Sequence, residues 1–248
     1  MSFTDWDLIF GETTGNWVNG DSGQQAVHST LSSPLTLQGL DARDFLFLGA
    51  SSARGTVFCP DSAMYPEFSN VPDTKAIQVT AWVRREQPGG GVANVGIGCK
   101  CGSWTPGSNS PPPGYFLILG GDSGNFGAPD KINLAFTNSS FSTSELYSDI
   151  RPGGAQSVWY QIRMEVSPVL NGATVDRDVV RAYVNDGTEA TPVWTLMREE
   201  TVLSTDPAWI PWNHGTNNRV GWFARCTRGG VGSPRVYIDS FEAKLKLR

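Results

Sequence analysis

Charge is in short supply in this chain. Only 17% of its 248 residues are Asp, Glu, Lys or Arg, below the ~25% usual in soluble domains. The 19 basic and 24 acidic residues leave a net charge of −5, which excludes a nucleic-acid binder working through a basic stripe. Long apolar runs are also missing. No window reaches the ~20 apolar residues of a membrane-crossing helix, so neither nucleic acid nor membrane is an expected partner. Histidine is reduced to His28 and His214, and cysteine to Cys59, Cys99, Cys101 and Cys226. A zinc centre needs four close ligands, so no metal and no cofactor is expected. Cys99 and Cys101 flank Lys100 in an expected strand, which predicts both thiols on one face. All four cysteines are read as reduced, partly buried apolar side chains rather than as disulfide staples.

The opening residues Met1–Trp6 carry no basic region and no apolar stretch, so no secretory leader is expected. Folding in a cytoplasm follows, with release by another route such as lysis. Aromatics are ample at 11%, which argues against disorder. No linker divides the chain, and β-sandwiches reach roughly 200–250 residues as one unit. Residues 1–248 are therefore expected to form a single domain.

The dominant pattern has a period of two. Val158, Tyr160, Ile162, Met164 and Val166 fall on one face, and Trp159, Gln161, Arg163 and Glu165 on the other. Residues 76–84 alternate likewise, with Ile77, Val79, Ala81 and Val83 opposite Gln78, Thr80, Trp82 and Arg84. Such alternation marks a half-buried strand. Further strands are expected over 3–10, 44–49, 54–59, 92–99, 114–119, 131–136, 179–185, 192–198, 219–226 and 234–247. Gly89-Gly90-Gly91 predicts a hairpin between its flanking strands. Asn185-Asp186-Gly187 predicts a turn whose residues take positive φ. Ten or more strands without a convincing helix predict an all-β, two-sheet antiparallel jelly-roll sandwich.

The last third of the chain adds specificity. Trp159-Tyr160-Gln161-Ile162-Arg163-Met164-Glu165-Val166 leads to Val179-Val180-Arg181-Ala182-Tyr183-Val184-Asn185-Asp186-Gly187. Arg219-Val220-Gly221-Trp222-Phe223-Ala224 and Val236-Tyr237-Ile238-Asp239-Ser240-Phe241-Glu242 follow. Over residues 157–243 this succession resembles the concanavalin A-like lectin/glucanase superfamily in its laminin-G-like form. It is similar to domains found in tailed-bacteriophage virion proteins. The resemblance implies that the N-terminal strand around Trp6 and the C-terminal strand pair in one sheet.

It also implies where catalysis would have to sit. Glucanases of this superfamily use two carboxylates facing one cleft. Asp5 with Asp7 lies at the terminus, Asp239 with Glu242 and Glu199 with Glu200 diverge, and Asp176 with Asp178 is read as a solvated loop pair over a calcium site. Lyases of the fold use a Gln-x-His strand with Tyr and Arg. Here Gln161-Ile162-Arg163 has Arg where His would be, and Tyr160 alternates away from Arg163. No catalytic residue is expected. The resemblance therefore implies a non-catalytic virion structural protein, first a capsid decoration or cement protein. The major capsid protein or another virion protein, and further copies of itself as a homo-oligomer, would be its partners. The alternative is a carbohydrate-binding tail, fibre or capsid-surface module for host glycans, and the third reading is a polysaccharide-active enzyme.

Nine tryptophans are available for either binding role. Trp159, Trp194 and Trp222 fall in strands and are expected to pack the core, whereas Trp82 falls on an outward face. Trp104, Tyr115, Trp209, Trp212, His214, Arg225 and Arg228 are the interface or glycan-binding candidates, because aromatic and Arg side chains anchor interfaces and stack on sugars. For the loop tryptophans the competing expectation is that they fold back and cap the sandwich edge. Arg84, Arg85 and Arg235 are further anchor candidates, against the plainer expectation of solvated strand-face arginines.

Overall fold

The computed structural model describes residues 6–11, 17–19, 26–28, 43–46, 54–60, 75–86, 92–101, 113–120, 131–137, 143–152, 158–206, 209, 219–227 and 235–246. Side chains are described from residue 75 onward, except at 92, 143–152, 219, 222–227, 235, 239–240 and 246. All regular structure among these residues is strand. The strands are β1 (Trp6–Gly11), β2 (Trp17–Asn19), β3 (Ala26–His28), β4 (Arg43–Leu46), β5 (Arg54–Pro60), β6 (Ile77–Glu86), β7 (Val92–Cys101) and β8 (Gly114–Leu119). Then come β9 (Lys131–Thr137), β10 (Thr143–Pro152), β11 (Tyr160–Asn171), β12 (Thr174–Asn185), β13 (Trp194–Leu203), β14 (Arg219–Thr227) and β15 (Arg235–Lys246).

Two antiparallel sheets result. Sheet A runs β13-β12-β11-β6-β15-β4-β3, with β1 also on β15, and sheet B runs β10-β9-β8-β7-β14-β5-β2. Trp6 pairs with Lys246, so the two chain ends share sheet A as the resemblance implied. The inward phases of both sheets meet in one core. Ile77, Val79, Ala81 and Val83 of β6 and Ile162, Met164 and Val166 of β11 pack there with Val95, Ile97, Leu117 and Leu134 of sheet B. The alternation of β6 and β11 is obeyed because one side of sheet A meets this core and the other does not.

Several local expectations change. Gly89-Gly90-Gly91 does not close a hairpin: β6 pairs with β11 and β15 while β7 pairs with β14 and β8, so the chain crosses between sheets there. Glycine punctuation reports a change of direction, not which strand becomes the neighbour. A strand over 143–152 was not expected, since its polar composition hides it. At Asn185–Gly187 the turn is held by Asn185 Oδ1, which accepts from Gly187 N and Val193 N at 2.8 Å each. Gly187 is needed for close approach rather than for a positive φ, because a Cβ there would sit 2.3 Å from the Thr191 carbonyl oxygen.

The central strands of sheet B are buried on both faces. Phe116, Ile118, Asn133, Ala135 and Thr137 lie opposite the core phase and are still fully covered. This matches their near-continuous apolar runs. Gly96 lets β8 approach: a Cβ at that position would lie 2.1 Å from the Leu117 carbonyl oxygen and 2.8 Å from Ile118 Cα.

Lys100 breaks the alternation of β7. Its φ is +53°, and the pairing with β14 shifts register between Arg219 and Gly221. This is a β-bulge that re-aims the side chains around it. The expectation of both thiols on one face is corrected accordingly. Cys99 joins the inter-sheet core, whereas Cys101 Sγ lies over Gly98 and Gly114 beside the Phe116 ring. Both thiols are reduced and buried, and burial holds the Cys99 thiol well above its ordinary pKa.

Candidate functional site

The outward phase of sheet A assembles a broad polar and aromatic face from strands far apart in sequence. Register alignment defines three rows across it. Lys244, Gln78, Glu165, Arg181 and Glu199 form the first. Glu242, Thr80, Arg163, Tyr183 and Leu196 form the second. Trp82 and Gln161, then Asn185 and Trp194, make up the third.

Hydrogen bonds tie these rows together. Gln78 Nε2 donates to Glu165 Oε1 at 2.8 Å, and Tyr183 OH donates to Glu165 Oε2 at 3.3 Å. Arg163 Nε donates to Thr80 Oγ1 at 3.3 Å, and its guanidinium lies 3.7 Å from the centroid of the Trp194 ring. Asn185 Nδ2 donates to Gln161 Oε1 at 2.7 Å. The Trp82 indole N–H is buried without a hydrogen-bond partner. Such a donor marks a place where an oxygen acceptor would be welcome.

Burial shapes the electrostatics here. It lowers the Arg163 pKa, against the opposing pull of Glu165, Glu242 and Tyr183. The Tyr183 phenol is pushed up to about 12, first by burial and then by Glu165. A raised folded-state value means the folded protein keeps this proton after the unfolded chain has lost it. Tyr183 therefore costs nothing below the unfolded value of 10.0 and erodes stability as pH rises toward about 12. Tyr183→Phe is expected to flatten the alkaline fall in melting temperature over that range. An equally steep fall in the variant would assign it to other groups.

Other sequence candidates take different places. Trp194 is not a core residue: its pairing with Asn185 puts it in the outward phase, beneath Arg163. Trp159 is half-buried, with its ring 6.3 Å from that of Tyr237. Arg84 lies 5.5 Å from the Tyr237 ring centroid and pairs with Glu86 at 2.5 Å. Arg85 is not a surface anchor. It occupies the inward phase of β6 and is fully buried, which lowers its pKa.

Tyr115 likewise moves inside. It is fully buried in the inward phase of β8, and its hydroxyl donates to Asp178 Oδ2 at 2.9 Å. Asp178 is not a solvated loop carboxylate. Strand β12 begins at Thr174, so Asp178 shares the inward phase of Val180, Ala182 and Val184 and is 0% exposed. Lys100 Nζ forms an ion pair with the same Oδ2. Asp176 instead pairs with Arg177 at 3.1 Å on the surface. Trp209 is half-buried against the core, its ring centroid 5.7 Å from Lys100 Nζ. Trp104, Trp212, His214 and Arg228 lie outside the described residues, as do the side chains of Trp222, Arg225 and Arg235.

Both assemblies exceed what the candidate residues suggested. The outward face was visible only as polar alternation in separate strands. The Lys100–Asp178 pair left two signals, a lysine in the apolar run VANVGIGCKC and an aspartate in phase with Val180 and Ala182. Among the described residues no three His, Cys, Asp or Glu side chains are placed to hold a metal ion.

No family model and no curated protein matches the chain. Solved structures do. Lectin I from Ulex europaeus, in complex with the methyl glycoside of α-L-fucose, superposes with a TM-score of 0.50 at 7% identity over 98% of this chain and 99% of the lectin. Peanut lectin gives 0.48 at 10% identity over 95% and 96%. A conserved carbohydrate esterase from the Shiga toxin-encoding bacteriophage phi24B gives 0.47 at 11% identity over 97% and 99%. With its two antiparallel sheets, its paired termini and this match along nearly the whole lectin chain, the protein has the concanavalin A-like lectin/glucanase jelly-roll fold.

Proposed function

We propose that this chain is a non-catalytic virion surface protein whose outward sheet A face binds a carbohydrate. The observation that carries the reading is the preformed network around Arg163, Glu165 and Trp194. A sugar presents hydroxyls that pair with carboxylate, amide and guanidinium groups, and C–H faces that stack on aromatic rings. Here the polar groups are already held by one another, so little ordering cost remains on binding. The virion assignment rests on the resemblance of residues 157–243.

A glycan array on the purified protein tests this. Arg163→Ala removes a charged donor and the cation stacked on Trp194. With charged hydrogen bonds contributing about 1.5–3 kcal/mol, affinity for any glycan found is expected to fall about 10- to 100-fold. Unchanged affinity in a folded Arg163→Ala protein rejects the face as the site.

One observation favours capsid decoration as a second reading. Strand β13 lies at the end of sheet A and exposes Leu196 and Leu203, with Val193 just before it. An exposed edge with apolar side chains is a template for pairing with another chain. Light scattering with and without candidate capsid shells separates the readings. Saturable binding to shells, or a stable homo-oligomer lost in Leu196→Lys, supports decoration. A monomer that ignores shells leaves glycan binding.

A further inference from the structure

Between the two sheets, Lys100 of sheet B meets Asp178 of sheet A in a fully buried site. The two residues are 78 positions apart in sequence. Tyr115 OH donates to the same carboxylate oxygen at 2.9 Å. The ammonium nitrogen lies 5.6 Å from the Tyr115 ring centroid and 5.7 Å from that of Trp209. The remaining oxygen, Asp178 Oδ1, is buried with no hydrogen-bond partner. Lys100 reaches this position by adopting φ +53°, a left-handed conformation that side-chain-bearing residues rarely take. Backbone strain maintained at a buried charged pair is a feature found where side chains have chemistry to perform.

We propose that Lys100 and Asp178 condense into an intramolecular amide that covalently joins the two sheets. Charge separation is disfavoured in a water-excluded interior. In the first step a proton passes from Nζ to Oδ2, which makes the amine a nucleophile and the carboxyl group an electrophile. The Nζ lone pair then attacks Cγ and forms the C–N bond. A second Nζ proton reaches Oδ2 through the Tyr115 hydroxyl, which accepts one proton as it donates its own. Oδ2 leaves as water, Oδ1 becomes the amide oxygen, and Tyr115 is regenerated. An ammonium and a carboxylate become one amide and one water, so no oxidant or other reactant is needed. Fixed juxtaposition supplies the drive: effective molarities of about 10⁵–10⁸ M are reached when reacting groups are held in contact. A dry core also protects the product from hydrolysis.

Intact mass spectrometry of the denatured, reduced full-length protein tests the step. The wild type is expected to be lighter by one water than its uncondensed sequence mass, and Lys100→Gln is expected to show no such deficit. Proteolysis should release the Lys100 and Asp178 peptides as a single branched species. A wild-type protein at full sequence mass overturns the proposal. So does a deficit of one water with the two peptides recovered separately, which would place the dehydration elsewhere. Because the decisive measurement is on the wild-type protein, it does not depend on whether a variant folds. Tyr115→Phe, checked for folding by circular dichroism, is expected to stay at the uncondensed mass longer than wild type. An equal rate removes Tyr115 from the proton path.

Discussion

Lys100→Met is expected to destabilise the protein by at least about 3–5 kcal/mol, the range found when a buried charge is left without its partner, and it also removes the proposed amide. The cost arises from what remains. Asp178 would stay 0% exposed, with Tyr115 OH as its remaining hydrogen-bond donor among the described residues. A buried carboxylate without a counter-charge carries its desolvation cost uncompensated. The diagnostic comparison is with the double variant Lys100→Met/Asp178→Leu. It leaves no uncompensated charge between the sheets, so it is expected to unfold at a higher urea midpoint than Lys100→Met alone. A double variant less stable than the single one would mean that Asp178 acts through contacts other than the pair.

Gly96→Ala should be comparably severe, with a loss above about 4 kcal/mol or failure to accumulate folded protein. The added Cβ would sit 2.1 Å from the Leu117 carbonyl oxygen and 2.8 Å from Ile118 Cα. Both obstacles are backbone of the neighbouring strand, so no rotamer change relieves them. Strands β7 and β8 would have to separate where Gly96 pairs with Ile118. That would loosen Ile97 and Leu117 in the core together. Gly172→Ala is the control. It lies in the β11–β12 turn at φ +66° with no atom within 4 Å of a new Cβ, so only backbone strain of roughly 1–2 kcal/mol is expected. Urea titration of both variants checks the contrast. A Gly96→Ala protein as stable as Gly172→Ala would show that β7 and β8 can move apart without cost.

The outward face of sheet A illustrates how far alternation reaches. Gln161, Arg163 and Glu165 are outward by phase alone, as are Gln78, Thr80 and Trp82, and each strand was legible separately. That Arg163 stacks on Trp194, or that Glu165 accepts from both Gln78 and Tyr183, requires the pairing order β13-β12-β11-β6. Period-two patterning sets which side a residue takes and carries no information about which strand lies beside it. Trp194 was misplaced for that reason. A tryptophan in a strand reads as core unless its register against Asn185 is known.

What the sequence determined by itself was therefore local and repetitive. The all-β composition, the inward phases of β6 and β11, the turn at Asn185–Gly187 and the pairing of the two ends all follow from side-chain periodicity, turn chemistry and a resemblance carried by residues 157–243. Tertiary structure alone decided the sheet to which each strand belongs, the bulge at Lys100 and the meeting of Lys100 with Asp178. The physical reason is range. Alternation and turn propensity act over a few residues, whereas a contact between residues 78 positions apart exists only after the two sheets have closed on their common core. Only there does water exclusion turn a lysine, an aspartate and a tyrosine into a single coupled site.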